Sequence, residues 1–266
     1  MTAMAVENSI ARPAPAGSTF LRMDNVSRHF GTLKAVDGVS FEMRAGELRA
    51  VIGPNGAGKT TFFNLISGLL PPTSGQVTFE GENITQETIV HRVARGIVRT
   101  FQITEILPDL SVFENIRVGV ETQAGLNSKP WINRARRDAV DERVNELINL
   151  VNLNGKSWRT VGELAHGDQR VVEVAVALSL KPRLLLLDEP TAGMGDTESD
   201  HMVDLIRRLH QQEGVTILFI EHDMDIVFGI AQRITVLDQG RVLAEGTPDM
   251  ISADPKVRAA YLGSSE

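Results

Sequence analysis

Gly53-Pro54-Asn55-Gly56-Ala57-Gly58-Lys59-Thr60 lies between the apolar run 48–52 and the mostly apolar run 61–67. Three glycines let successive backbone N–H groups turn into one concavity, and a helix starting at its far side aims the positive end of its dipole into the same hollow. Such a hollow suits an anion. The spacing GxxxxGK[ST] puts the Lys59 ammonium within reach of β- and γ-phosphates, and the Thr60 hydroxyl where it can ligate a Mg²⁺ that bridges them. A flexible glycine-rich turn could carry the same letters by accident, but the accident would not supply the flanking strand and helix.

Composition narrows the rest. The chain has 266 residues, 42% apolar and 23% charged, enough for one well-filled domain with more than one lobe. A net charge of −7 gives a surface that repels nucleic acid and anionic lipid, so partners are expected to be proteins. There is no cysteine, hence no disulfide framework and no thiolate metal site. His29, His91, His166, His201 and His210 show no transition-metal spacing. No apolar run approaches the ~20 residues that span a bilayer. Residues 1–18, with Arg12 and an Ala/Pro-rich stretch over 11–16, read as a disordered tail rather than a signal peptide.

Short alternations over 20–52, broken at Gly31, Gly38 and Gly46, predict antiparallel strands leading into the strand before the cradle. Residues 61–67 predict a buried helix ended by Gly68 and Pro71-Pro72. A hairpin is expected at 76–83, turning at 81–83, then a helix over 112–118 and a polar loop over 122–133. Val140, Val144, Leu147, Ile148 and Val151 form one helical face, with Arg134, Arg136 and Arg137 a solvated end of that helix. Further helices are expected over 168–180 and 196–210. Residues 183–187 and 215–220 read as strands buried on both faces, and 234–237 and 242–244 as short strands. Two small helices close the chain, marked by Thr247-Pro248 and Asp254-Pro255. The fold class is α/β: a parallel sheet, an antiparallel β subdomain at the N-terminal side, and a mainly helical insertion over about 102–180.

Chemistry converges on the strand ends. Asp188 and Glu189 close a buried strand, and in a parallel sheet the carboxyl ends gather along one edge, so both acids can face the cradle. Asp188 is placed to hold the Mg²⁺ shell through water and Glu189 to polarise an attacking water. His222 ends the next apolar strand at the same edge, where it can hydrogen-bond a γ-phosphate. In isolation, strand-end acids often cap a loop and a strand-end histidine is as often structural.

The chain resembles the ATP-binding subunits of ABC transporters over roughly residues 20–263. Gly53 to Thr60 resembles the Walker A motif, Gln102 the Q-loop, Leu164-Ala165-His166-Gly167-Asp168 the signature, Leu184 to Glu189 Walker B, Ala192 to Gly195 the D-loop, and His222 the switch histidine. Phe30 matches the aromatic that stacks on adenine, although a lone Phe after a strand is more often core. The resemblance implies a P-loop NTPase (RecA-like) core over 19–247, with 248–266 a short helical extension. It implies ATP and Mg²⁺ as cofactors and an ATP site of Phe30, residues 53–60 and Thr61. Glu189, His222, Gln102 and Lys59 are then the catalytic set and Thr60, Gln102 and Asp188 the Mg²⁺ set. In the family two such subunits sandwich two ATP molecules, each between the cradle of one and the signature of the other.

Finer features are similar to branched-chain amino acid importers: Ile52 to Asn55, Arg99 to Gln102, Ala192-Gly193-Met194, Glu221-His222-Asp223-Met224 and Ala260 to Gly263. The implied partners are two membrane permease subunits, contacted through residues 103–115, a second ATP-binding subunit, and indirectly a periplasmic or lipid-anchored substrate-binding protein, with no nucleic acid. The implied place is peripheral, at the cytoplasmic face of the inner membrane. A urea or amide importer, a soluble ABC ATPase acting on nucleic acid or ribosome, and a small-molecule kinase on the same cradle are the rival readings. The kinase leaves 164–170 and His222 unexplained. Two departures stand out: the usual LSGGQ is Leu-Ala-His-Gly-Asp here, without the serine hydroxyl, and Gly195 stands where the D-loop has Asp.

Overall fold

Two antiparallel strands, β1 (Thr19–Phe30) and β2 (Leu33–Arg44), precede β3 (Leu48–Ile52), whose five residues are all buried. The computed structural model describes residues 19–100, 106–126 and 133–262; the expected tail over 1–18 and Gln102 lie outside the described residues. After the cradle comes α1 (Lys59–Ser67), two residues earlier than the apolar pattern predicts, with Phe62, Phe63, Leu65 and Ile66 fully buried. The hairpin β4 (Ser74–Phe79) and β5 (Glu82–Asn83) turns at Glu80-Gly81 rather than 81–83, both residues having positive φ as a type I′ turn requires.

A short helix α2 (Ile89–Ala94), without a period long enough to read, leads to β6 (Ile97–Arg99). Its Arg92 is fully buried and donates to the carbonyls of Leu65, Ile66, Ile84 and Thr85. The first two are orphan acceptors at the C-terminus of α1, so Arg92 caps the cradle helix from a neighbouring element. Burial draws its pKa down to about 10.

Helices α3 (Val112–Gln123), α4 (Arg134–Leu150) and α5 (His166–Ser179) follow, with two 3₁₀ turns, Asn154–Lys156 and Val161–Glu163, before α5. Ser111 and Glu114 form a reciprocal capping box on α3. Helix α3 runs to Gln123, past the predicted end; residues 127–132 of the expected loop lie outside the described residues. Val140, Val144, Leu147 and Ile148 are buried on α4 while Arg134, Arg136 and Arg137 are exposed. Gly119 of α3 sits so close to Ser179 that a Cβ would meet its hydroxyl at 1.8 Å.

The chain then re-enters the core through β7 (Leu184–Asp188), α6 (Asp196–Gln211), β8 (Thr216–Ile220), the unanticipated α7 (Met224–Ile230), β9 (Arg233–Asp238), β10 (Arg241–Gly246), α8 (Pro248–Ala253) and α9 (Pro255–Leu262). One sheet has the order β2-β1-β4-β5 and is antiparallel; the other has the order β10-β9-β3-β8-β7-β6, parallel except for β10. Leu184 and Leu186 pack with α1 and the antiparallel sheet, while Leu185 and Leu187 pack with α3 to α6. Alternate leucines of one strand thus serve two cores, which is why β7 is apolar throughout.

Candidate nucleotide site

The register of the parallel strands builds the site. Asp188 is level with Ile220, and Ile220 with Val51, so β7, β8 and β3 end side by side, at Asp188, Ile220 and Ile52. The residues that follow are Glu189, Glu221-His222 and Gly53.

The cradle is held open by its neighbours. Gly53 has φ +151, and a Cβ there would lie 2.1 Å from the carbonyl oxygen of Leu237 in β9; at Gly58, φ +99, a Cβ would lie 2.3 Å from the carbonyl oxygen of Ala35 in β2. Gly240 donates to Ala57 and accepts from Asp37, tying the loop to β9-β10 and β2. The Tyr261 hydroxyl in α9 lies against the Gly53 backbone, and burial pushes its pKa up to about 12. Lys59 Nζ donates to the carbonyls of Gly53 (2.7 Å) and Pro54 (3.1 Å). Burial lowers its pKa, against the pull of Glu189 and Asp188, so those carboxylates lie within electrostatic reach of the cradle lysine. Pro54 and Thr61 are half-buried, Asn55, Gly56 and Thr60 exposed, and Ala57 buried. Phe30 ends β1 with 44% of its surface exposed and the Arg28 guanidinium 4.7 Å above its ring.

Asp188 is 2% exposed and ion-paired with Arg99, which also donates to Asn64 of α1. The second carboxylate oxygen of Asp188 is buried and accepts no hydrogen bond from the described residues. Glu189 has φ +50, a left-handed conformation that costs a non-glycine residue about 1–2 kcal/mol. Its N–H donates to Ile220 and its Oε1 accepts from His222 Nε2 at 2.8 Å. A carboxylate only accepts, so Nε2 is the donor in this bond. Glu221, 4% exposed, accepts from the backbone N–H and the hydroxyl of Thr191 and from the His222 N–H.

The segment 164–168 leads into and opens α5. Leu164 is buried, Ala165 is an exposed N-cap with no side-chain hydrogen bond, and α5 starts at His166, two residues before the predicted start. Exposed His166 faces Gly193, and buried Gly167 packs on the Glu198 carboxylate of α6, leaving no room for a Cβ (2.7 Å). Asp168 pairs with Lys156. Sequence reasoning gave no role to Glu221, Thr191 or Asn64, and none of its own to Arg99. The one available signal was a charged residue closing a short apolar run, Arg99 after Ile97-Val98 and Glu221 after 217–220.

The cradle opens where β3, β7 and β8 end together, and that placement is the one of a P-loop nucleoside triphosphatase core. Residues 36–192 match the family described as ABC transporter, and residues 241–266 the family described as branched-chain amino acid ATP-binding cassette transporter. The chain belongs to the ABC transporter family as an ATP-binding subunit, an ATPase whose hydrolysis of ATP to ADP and phosphate is coupled to transport. The high-affinity branched-chain amino acid transport ATP-binding protein BraF of Pseudomonas aeruginosa is 40% identical, over 92% of this chain and 98% of its own. LivG of Salmonella typhimurium, described in the same words, is 39% identical with the same coverage. A solved nucleotide-free ATP-binding cassette from an ABC transporter superposes with a TM-score of 0.81 at 32% identity, over 92% of this chain and 99% of that one.

Proposed function

We propose that this chain powers the import of branched-chain amino acids, working as one of two ATP-binding subunits beneath two membrane permease subunits that receive solute from a periplasmic or lipid-anchored binding protein. Supporting this is the match to branched-chain amino acid transport relatives along nearly the whole chain, including its C-terminal 26 residues. No helix among the described residues is long and apolar enough to cross a membrane, which suits a peripheral subunit at the cytoplasmic face. Reconstitution with the two permease subunits tests it. Leucine, isoleucine or valine should enter vesicles only with ATP on this subunit's side; uptake of urea or an amide instead would move the substrate class.

In this reading adenine stacks on Phe30 and the triphosphate lies along residues 53–61. Lys59 exchanges the Gly53 and Pro54 carbonyls for β- and γ-phosphate oxygens. The buried, unpartnered oxygen of Asp188 and the exposed Thr60 hydroxyl suit a hard divalent cation, with Gln102 completing the set. A Mg²⁺ held by these residues would supply charge neutralisation for the phosphates. Glu189 takes a proton from the attacking water while His222 Nε2–H turns from Glu189 towards the γ-phosphate. The signature of one subunit caps the ATP held by the other, so hydrolysis removes the bridge that keeps the pair closed.

Ala165 leaves that cap without a hydroxyl, a charge-assisted hydrogen bond worth roughly 1.5–3 kcal/mol. Ala165→Ser is expected to raise the ATPase rate of the composite site roughly tenfold, read as phosphate release at saturating ATP. No gain would show that the α5 N-terminus and the Gly167 amide suffice.

A further inference from the structure

The segment after β7 is fastened to the end of β8 at two points. The first is the backbone bond from Glu189 to Ile220, 3.0 Å. The second is a side chain: Glu221 Oε1 accepts from the Thr191 N–H (3.0 Å) and the Thr191 hydroxyl (2.5 Å), and Glu221 Oε2 accepts from the His222 N–H (3.0 Å). Both Glu221 and Thr191 are buried. One carboxylate therefore grips the backbone two residues beyond Glu189 and the backbone of His222 itself.

We infer that Glu221 is a positioning residue for hydrolysis, its buried carboxylate holding the Glu189 turn and His222 in register so that Glu189 Oε1 and His222 Nε2 meet at one place. This rests on Glu189 and His222 being the hydrolytic pair. Glu189 occupies a left-handed conformation that it would leave if the turn were loosened, and His222 takes its direction from the backbone that Glu221 holds. Only a carboxylate fits. All three partners are donors, two N–H groups and one O–H, and a carboxylate offers nothing but acceptors. An amide of the same shape would turn an N–H toward one of them and lose that bond.

The test uses the full chain and measures kcat and KM for ATP, equilibrium affinity for a non-hydrolysable ATP analogue, and the melting temperature. Glu221→Gln should lower kcat at least tenfold while KM and analogue affinity stay within twofold and melting shifts by no more than a few degrees. Thr191→Val should fall between it and the unaltered chain, Thr191→Ser should restore most of what Thr191→Val loses, and adding Thr191→Val to Glu221→Gln should cost little more. A kcat within twofold of normal in Glu221→Gln overturns the inference. So does a parallel fall in kcat, affinity and melting temperature, which marks a purely structural role, or a Thr191→Ser as impaired as Thr191→Val. Should Glu221→Gln fail to fold, the two Thr191 variants decide. Glu189→Gln and His222→Ala are run alongside: normal turnover in those refutes the hydrolytic pair, whereas their inactivity beside a normal Glu221→Gln refutes only the role of Glu221.

Discussion

Glu189→Gln should stop sustained ATP turnover while leaving nucleotide binding intact, so that with Mg-ATP the protein elutes as a closed dimer rather than as single chains. The side chain stands at the carboxyl end of β7, hydrogen-bonded to His222 and within the electrostatic field of Lys59. Glutamine keeps its shape and one acceptor oxygen but cannot take a proton from water. General-base catalysis supplies roughly 10²–10⁴-fold, so phosphate release should fall at least a hundredfold. The cradle is untouched, hence ATP still binds, and an ATP that is never split keeps bridging cradle and signature. Unaltered turnover would remove Glu189 from the base role, and lost turnover without dimer accumulation would remove the bridge.

Gly53→Ala is expected to lose at least a hundredfold in ATP affinity and to lower the melting temperature. The glycine enters the cradle at a φ that L-residues avoid, and the methyl group would arrive 2.1 Å from the Leu237 carbonyl oxygen, backbone held in β9 by its pairing with β3 and β10. Neither side can give way without moving a central strand, so the loop must move and its N–H groups leave the concavity. Gly56→Ala is the companion control: no heavy atom lies within 4 Å of the added Cβ, so its penalty comes from positive φ alone and should be smaller. Equilibrium binding of a fluorescent ATP analogue measures both; Gly53→Ala binding within threefold of the unaltered chain would refute the role of the Leu237 contact.

The parts readable in advance share one physical property: the local pattern and the tertiary environment ask for the same residues. β3, β7 and β8 are buried on both faces and therefore write themselves as unbroken apolar runs, and the cradle needs glycines whatever surrounds it. Helices α2 and α7 were invisible because six or seven residues hold too little of a 3.6-residue period. What fixes α2 is Arg92, whose four acceptors lie on α1 and the segment after β5, 7 to 27 residues away. The apolar pattern sets the starts of α1 and α5 two residues late because neither begins with a capping side chain: Gly58 enters α1 from a left-handed conformation and Ala165 offers only its backbone.

The order of residues alone shows a phosphate cradle between a strand and a helix, and acids and a histidine at the ends of apolar strands. Those features are local, each written in fewer than ten consecutive residues. The tertiary structure alone decided that Arg99 pairs with Asp188, that Glu221 joins Thr191 to His222, and that Leu237 and Ala35 wall in the cradle glycines. Each of these brings together groups 23 to 184 residues apart in the chain, through a strand register that no stretch of sequence encodes on its own.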